Sequence, residues 1–165
     1  MTIQISEYVN VKKRAEELNC NIPTGIALLP RNFETAESKD ELIHESSVPT
    51  IRVLWRKEKI SETKIEKEED KFPNAQENAF EWIGPIIFVS ASILSQNPYV
   101  LTVGLGVVSN YLTEWFKGIP GDKKVRLDIV IEQAEGKVYK RISYKGEPEG
   151  LHELPKIISE VQKYE

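Results

Sequence analysis

The stretch WIGPIIFVSASILSQNPYVLTVGLGVVSNYLT, residues 82–113, decides the predicted fold. It holds no charged residue, although 29% of the chain is charged. A helix that crosses a bilayer needs about 20 mostly apolar residues. Two breaks, Gly84-Pro85 and Ser95 to Pro98, interrupt this stretch, and proline inside a helix removes a hydrogen bond and clashes with the preceding turn. The pattern therefore predicts two apolar helices of roughly 10 and 18 residues rather than one continuous span.

Capping residues place the ends of these predicted helices. Asn74 can cap a helix with Glu77 three residues on, Pro85 can begin a second helix, and Asn97-Pro98 can begin a third. Gly118 and the following Pro120-Gly121 end the last one. We therefore predict helices over residues 74–84, 85–94 and 98–117.

The third predicted helix is apolar around most of its circumference, so most of its surface must be buried. Large side chains form two adjoining ridges, one from Val100 to Trp115 and one from Leu101 to Phe116. The surface of this helix can be buried in three ways: against the sheet elements of the same chain, against another chain including a second copy, or in lipid. Lipid contact would make the protein a membrane-associated subunit that inserts residues 82–116.

The N-terminal third, residues 1–57, reads as a mixed α/β unit. Ile3 and Ile5 alternate with polar residues as in a strand, Ser6 can cap a helix, and Gly25 to Leu29 is typical of a buried strand. Residues 34–45 are compatible with a helix, and Thr50 to Lys57 alternates as a second strand would. Strand, helix and strand in this order predict a parallel crossover. The charged residues 58–73 that follow are predicted to be an exposed linker or sheet edge.

The last third, residues 123–165, predicts a β-hairpin followed by a helix. Residues 125–132 and 138–144 each alternate in polarity, and Gly136 lies in the connection between them. The helix that follows carries Leu151, Leu154, Ile158 and Val161 on one side. The whole chain is thus predicted to be a single α+β domain, in which a small mixed sheet and the hairpin-helix module pack around the central apolar helices.

Composition excludes several functions. The chain has 165 residues and a net charge of −4, which disfavours a general nucleic-acid binder. One cysteine, Cys20, and two histidines, His44 and His152, make a metal centre improbable, so we predict no metal and no cofactor. The start MTIQISEYVN lacks the apolar stretch of a secretion signal, which predicts a cytoplasmic protein.

The sequence predicts no catalytic residue. Residues 103–109 come near a dinucleotide fingerprint, with glycines at 104 and 106 and a serine in place of the third glycine. A small nucleotide-binding enzyme is therefore an alternative. His44-Glu45 and His152-Glu153 each place a histidine beside a carboxylate, but sequence neighbours point about 100° apart on a helix and do not form an oriented pair. Solvent-facing side chains explain these pairs more simply.

Large aromatic residues are the candidates for contact with a partner, because tryptophan and tyrosine are enriched at the centres of interfaces. The candidates are Trp55, Trp82, Trp115, Tyr111 and Phe116.

The order of elements from Val100 onward resembles a known family. A glycine- and valine-containing apolar helix (VLTVGLGVVSNYLTEWF), a polar connection (KGIPGDKK), a hairpin (VRLDIVIEQAEGKVYKRISYKG) and an acidic helix start (EPEGLHELPKII) follow one another. This order is similar to that of the effector-associated constant component family of bacterial conflict systems. The resemblance covers residues 100–165 and implies a non-enzymatic accessory protein encoded beside a variable effector. We therefore expect an accessory or adaptor protein that binds a protein partner or a second copy of itself, through sheet edges or the central apolar face.

Overall fold

The computed structural model describes residues 1–76, 81–121 and 123–163, and these form an α+β fold. Its five strands make one mixed sheet in the order β1-β5-β4-β3-β2. Strands β3 and β4 are parallel, and the other neighbours are antiparallel. The strands are β1 (Thr2–Glu7), β2 (Ile26–Leu29), β3 (Trp82–Val89), β4 (Val125–Gln133) and β5 (Val138–Gly146); the helices are α1 (Val11–Glu17), α2 (Val48–Lys57), α3 (Ala91–Gln96), α4 (Tyr99–Trp115) and α5 (Leu154–Gln162).

The sheet separates two apolar cores. Alternate residues of each strand point to opposite faces, so β4 sends Leu127 and Ile129 to one face and Val130 to the other. Side chains of α2, α3, α4 and α5 pack on the first face, which we call the helical face. Helix α1 and the loop residues Phe33, Leu42 and Ile65 pack on the second, which we call the α1 face.

The structure corrects the prediction for the first half of the charge-free stretch. Residues 82–89 form strand β3, not the end of one helix and the start of another. Buried between β2 and β4, this strand carries the β-branched and aromatic residues that suit a central position. Pro85 is tolerated because the pairing with β4 shifts register between Ile83 and Ile86. Within the predicted helix 74–84, residues 77–80 lie outside the described residues. Asn74, its predicted cap, pairs with His44 as an isolated bridge.

The predicted second strand, Thr50 to Lys57, is also wrong, because these residues belong to helix α2. Val48, Ile51 and Trp55 are buried at helical spacing, whereas Val53, which the alternation placed with them, is 44% exposed. Pro49 occupies the first turn, where proline costs no hydrogen bond. The parallel crossover that this strand implied is therefore absent, and β2 pairs antiparallel with β3 instead.

Smaller corrections concern the N-terminal third. Strand β1 is confirmed but includes Ser6, so helix α1 is capped by Asn10, whose side chain accepts from the Lys13 amide at 3.0 Å. The buried strand β2 is confirmed. Of the helix predicted over residues 34–45, the structure has only one 3₁₀ turn, Lys39–Glu41.

The charged residues 58–73, predicted as an exposed linker or edge, pack against the sheet. Ile65 is fully buried in the core of the α1 face. The Thr63 amide donates to the Ile26 carbonyl at 2.7 Å, and Glu62 forms a bridge with Ile26. The segment thus covers the outer edge of β2.

The C-terminal prediction is confirmed. Strands β4 and β5 pair along their whole length, and Gly136 in their connection has φ +87°, a conformation that glycine adopts without strain. A 3₁₀ segment, Pro148–Glu153, precedes α5, whose buried residues Leu154, Ile158 and Val161 face the sheet.

Helix α4 matches the third predicted helix within two residues at each end. Its ridge of Leu101, Leu105, Val108 and Leu112 is buried on the helical face, and each such side chain contributes roughly 1.5–3 kcal/mol on burial. The opposite side is partly exposed, including Tyr99 and Val103. None of the helices described in the structure is both long enough and apolar enough to cross a membrane.

Candidate functional site

Strand β1 forms an open edge of the sheet. All its residues except Ile3 are exposed, and Ile5 is 52% exposed, although a large apolar side chain stands there. Within the described residues, β5 is the one strand that pairs with β1. An edge of this kind presents unpaired backbone N–H and C=O groups, to which another extended chain can hydrogen-bond.

The backbone groups that point outward can be assigned from the register. The Tyr8 amide donates to the Tyr139 carbonyl at 2.9 Å, and Glu7, Ser6 and the preceding residues pair in continuous register with β5. In an antiparallel ladder the residues that bond to the neighbour alternate with those that face away. Because Tyr8 bonds to β5, the amides of Ile3, Ile5 and Glu7 point away from the sheet.

The two sheet edges differ in protection. The outer edge of β2 is covered by residues 62–63. Strand β1 carries no proline, lysine or bulge, which are the common devices that prevent edge-to-edge pairing. The sequence TIQISE thus leaves this edge without those devices.

A groove of about 510 Å³ lies on the α1 face beside this edge. Helix α1 and its loop cover the half of the face that carries Phe88, Val130 and Tyr139. The other half is the groove, and its floor comes from neighbouring strands. Its polar and charged lining is Thr2 and Gln4 of β1, Arg141, Ser143 and Lys145 of β5, Arg126 and Asp128 of β4, and the wall residues Arg31 and Glu45.

The pairing register orders the groove floor into rows across the sheet. Thr2, Lys145 and Arg126 form one row, because Thr2 pairs with Lys145 and Lys145 with Arg126. Gln4, Ser143 and Asp128 form the next row. Each row begins at the open edge and runs inward.

Ion pairs fix part of this lining. Arg141 donates from Nε to Asp128 Oδ2 at 3.1 Å, and the Arg31 guanidinium pairs with the buried Glu45 carboxylate. Arg126 lies 3.7 Å from the Glu81 carboxylate and remains half exposed. Among the described residues Lys145 has no carboxylate partner and is exposed. The groove therefore has four basic and two acidic lining residues in a chain whose net charge is −4.

Tyr8 lies beside Arg141, one of the residues that line the groove. The Arg141 guanidinium lies 5.8 Å from the centre of the Tyr8 ring. At this distance the face of an aromatic ring attracts a cation. Burial, reinforced by the charge of Glu34, raises the pKa of Tyr8 well above its ordinary value. The phenol thus stays neutral, and its ring lies beside the Arg141 guanidinium.

The aromatic residues singled out in the sequence fall into two sets. Trp55 and Phe116 are buried in the core of the helical face, where the Trp55 indole donates to the Gly104 carbonyl at 3.2 Å. Trp82, Tyr111 and Trp115 line a second cavity of about 260 Å³, which shares Arg31, Glu45 and Ile83 with the groove. Trp82 is almost fully buried there, and Tyr111 and Trp115 are half-buried.

The glycines of the fingerprint-like sequence lie inside helix α4. Gly104 lies against the Trp55 ring, where a Cβ would be 3.4 Å from the indole nitrogen, whereas a Cβ on Gly106 would meet only His152 at 3.8 Å. Binding of a dinucleotide by this motif needs a strand, a turn and a helix N-terminus at the glycines. Residues 99–115 are helical throughout, and this interpretation of the motif is wrong.

His44 is buried, contrary to the prediction of a solvent-facing side chain. Its Nε2 lies 3.3 Å from Glu66 Oε2, and Arg52 reaches the same carboxylate at 2.8 Å. Burial acts to raise the pKa of Glu66, but His44 and Arg52 outweigh it and lower that pKa to about 2. This cluster ties the segment 58–73 to α2. His152 is exposed beside α4, as predicted.

Sequence reasoning did not find the groove, and it named sheet edges as a binding surface without saying which edge is open. Among the residues that the structure describes, no three histidine, cysteine or carboxylate side chains are grouped so as to hold a metal ion. Comparison of the chain with protein-family models, with curated proteins and with solved structures finds no match. The site must therefore be interpreted from its own geometry.

Proposed function

We propose that this protein is a non-catalytic accessory or adaptor module that binds a protein partner by accepting an extended segment of it at the outer edge of β1. The added segment becomes a sixth strand of the sheet. Main-chain hydrogen bonds to Ile3, Ile5 and Glu7 supply the affinity, and side-chain contacts on the two faces supply the selectivity.

The observation that carries this proposal is the difference between the two edges. One edge is covered by the chain itself, and the other presents three outward amides beside a polar groove. Natural proteins protect edges that are not used for binding. The resemblance of residues 100–165 to accessory components of bacterial conflict systems supports the same kind of role, in the cytoplasm and without catalysis.

A random short-peptide library displayed on phage tests this proposal, because selection from such a library does not require the partner to be identified first. Selected peptides are then measured against Ile5→Pro and Ile5→Thr. Proline removes the outward amide but no bond to β5, whereas threonine keeps the amide and removes only the apolar side chain. We expect affinity to fall at least about tenfold, or 1.4 kcal/mol, in Ile5→Pro and to change far less in Ile5→Thr.

Two results would overturn the proposal: no peptide is enriched, or enriched peptides bind Ile5→Pro as tightly as the unmodified chain. Circular-dichroism melting establishes that the proline variant is folded. If it is not, Glu7→Pro, near the end of the same strand, replaces it.

A further inference from the structure

The geometry points to a partner segment that carries an acidic side chain over the groove, with Lys145 as the residue that recognises it and Arg126 behind it. This inference rests on the strand addition proposed above and specifies its chemistry. The partner segment would alternate acidic or polar residues on the groove side with apolar residues on the helical face.

The positions over the groove follow from the pairing rule. An antiparallel strand that bonds to Ile3, Ile5 and Glu7 places its intervening residues directly opposite Thr2, Gln4 and Ser6. Directly opposite residues share a face of the sheet. Because Thr2 and Gln4 line the groove, the partner side chains opposite them project over it.

The residue opposite Thr2 continues the row that contains Lys145 and Arg126. Neighbouring strands lie about 4.8 Å apart, so this residue is about 10 Å from the Lys145 backbone. A lysine and a glutamate side chain together span that distance. Arg126, one strand farther in, lies 3.7 Å from the Glu81 carboxylate, so Lys145 carries the charge of this row that is left for the partner.

The charges of the groove residues indicate whether the partner side chain above them is acidic or basic. Arg141 and Arg31 are neutralised by Asp128 and Glu45, whereas Lys145 is exposed and unpaired among the described residues. A carboxylate over Lys145 gains a partner, whereas an ammonium there would meet a like charge. On the helical face, the half-exposed Ile5 favours an apolar neighbour.

The test compares two synthetic peptides that alternate valine with glutamate or with glutamine, the neutral isostere. Binding is measured by calorimetry at about 50 mM ionic strength, where exposed charges are weakly screened. We expect the glutamate peptide to bind about fivefold more tightly, which corresponds to roughly 1 kcal/mol. This preference should persist in Lys145→Arg and fall below about twofold in Lys145→Gln.

Lys140→Gln is the matched control, because Lys140 lies on the same strand but pairs with Glu7 and projects from the other face. Equal binding of the two peptides, or a glutamate preference that survives in Lys145→Gln, would overturn the inference while strand addition stands. Loss of strand addition is recognised separately, because binding of both peptides would then be insensitive to Ile5→Pro.

Discussion

The indole nitrogen of Trp55 on α2 donates a hydrogen bond to the carbonyl of Gly104 on α4, at 3.2 Å. This contact joins two helices across the core of the helical face, and Trp55 is almost completely buried. We therefore expect Trp55→Phe to lower the free energy of unfolding by about 1–2 kcal/mol, because it removes the donor and part of the packed ring. Urea denaturation measures this.

Trp115→Phe is the control for that prediction, because Trp115 is half-buried and stacks edge-on against Phe116 at 4.7 Å. Trp115→Phe should lower the free energy of unfolding clearly less than Trp55→Phe does. Equal losses in the two variants would contradict the prediction, because of these two residues Trp55 is the more deeply buried and donates to the Gly104 carbonyl.

Replacement of two glycines by alanine should change the stability of the fold in opposite directions. A Cβ on Gly150 would lie 1.9 Å from the Tyr144 hydroxyl oxygen, so Gly150→Ala must displace a buried ring and should cost about 1–3 kcal/mol. A Cβ on Gly106 would meet only His152, at 3.8 Å, within helix α4. Gly106→Ala should therefore raise stability by about 0.5–1 kcal/mol. Thermal melting of both variants checks the pair, and a destabilised Gly106→Ala would contradict this packing of α4.

The Glu66 cluster should make stability depend on pH. The pKa of Glu66 is lowered to about 2 in the folded protein from its ordinary value of 4.5. The ionised carboxylate therefore stabilises the fold fully above about pH 5, and this contribution decreases as pH falls toward 2. Glu66→Gln should cost on the order of 2–3 kcal/mol at neutral pH and progressively less in acid.

Urea denaturation between about pH 6 and pH 3 measures how the difference in unfolding free energy between Glu66→Gln and the unmodified chain decreases as the pH falls. Glu68→Gln, at an exposed position in the same segment, serves as the control. Its unfolding free energy should depend on pH in the same way as that of the unmodified chain. A cost of Glu66→Gln that is the same at every pH would contradict the contacts of the Glu66 carboxylate with His44 and Arg52.

Cys20 should react slowly in the folded protein. Burial raises the pKa of its thiol to about 11, although the charge of Lys39 opposes this. Since the thiolate is the reactive form, modification by Ellman's reagent at about pH 8 should be at least 100-fold slower, roughly, than in urea. A native rate close to the rate in urea would show that the core around Cys20 opens readily.

The sequence predicted the elements whose polarity pattern fits a single secondary structure. Strands β4 and β5 alternate in polarity over much of their length, and α4 is too long and too apolar for any strand. Helix α2 was misjudged because Ile51 and Trp55 fit both a two-residue and a helical period over so short a segment. Strand β3 was misjudged because Gly84-Pro85 is typical of a helix start, and only the register shift against β4 explains a proline there.

The candidate site could not be predicted from local patterns. Thr2, Arg31, Arg126 and Lys145 come from four separate parts of the chain and meet only through the order of strands in the sheet. Which amides of β1 point outward depends on its register with β5. The aromatic residues could be recognised in the sequence as large apolar groups, but only the packing of the helices shows that Trp55 lies inside the core.

The most direct test of strand addition is amide hydrogen exchange of β1, followed by NMR with and without a peptide selected on the unmodified chain. Strand addition predicts that the amides of Ile3, Ile5 and Glu7 exchange at least about tenfold more slowly when the peptide is bound. The amides of Gln4 and Ser6, already bonded to β5, should change much less. Unchanged exchange at Ile3, Ile5 and Glu7 with saturating peptide would contradict strand addition.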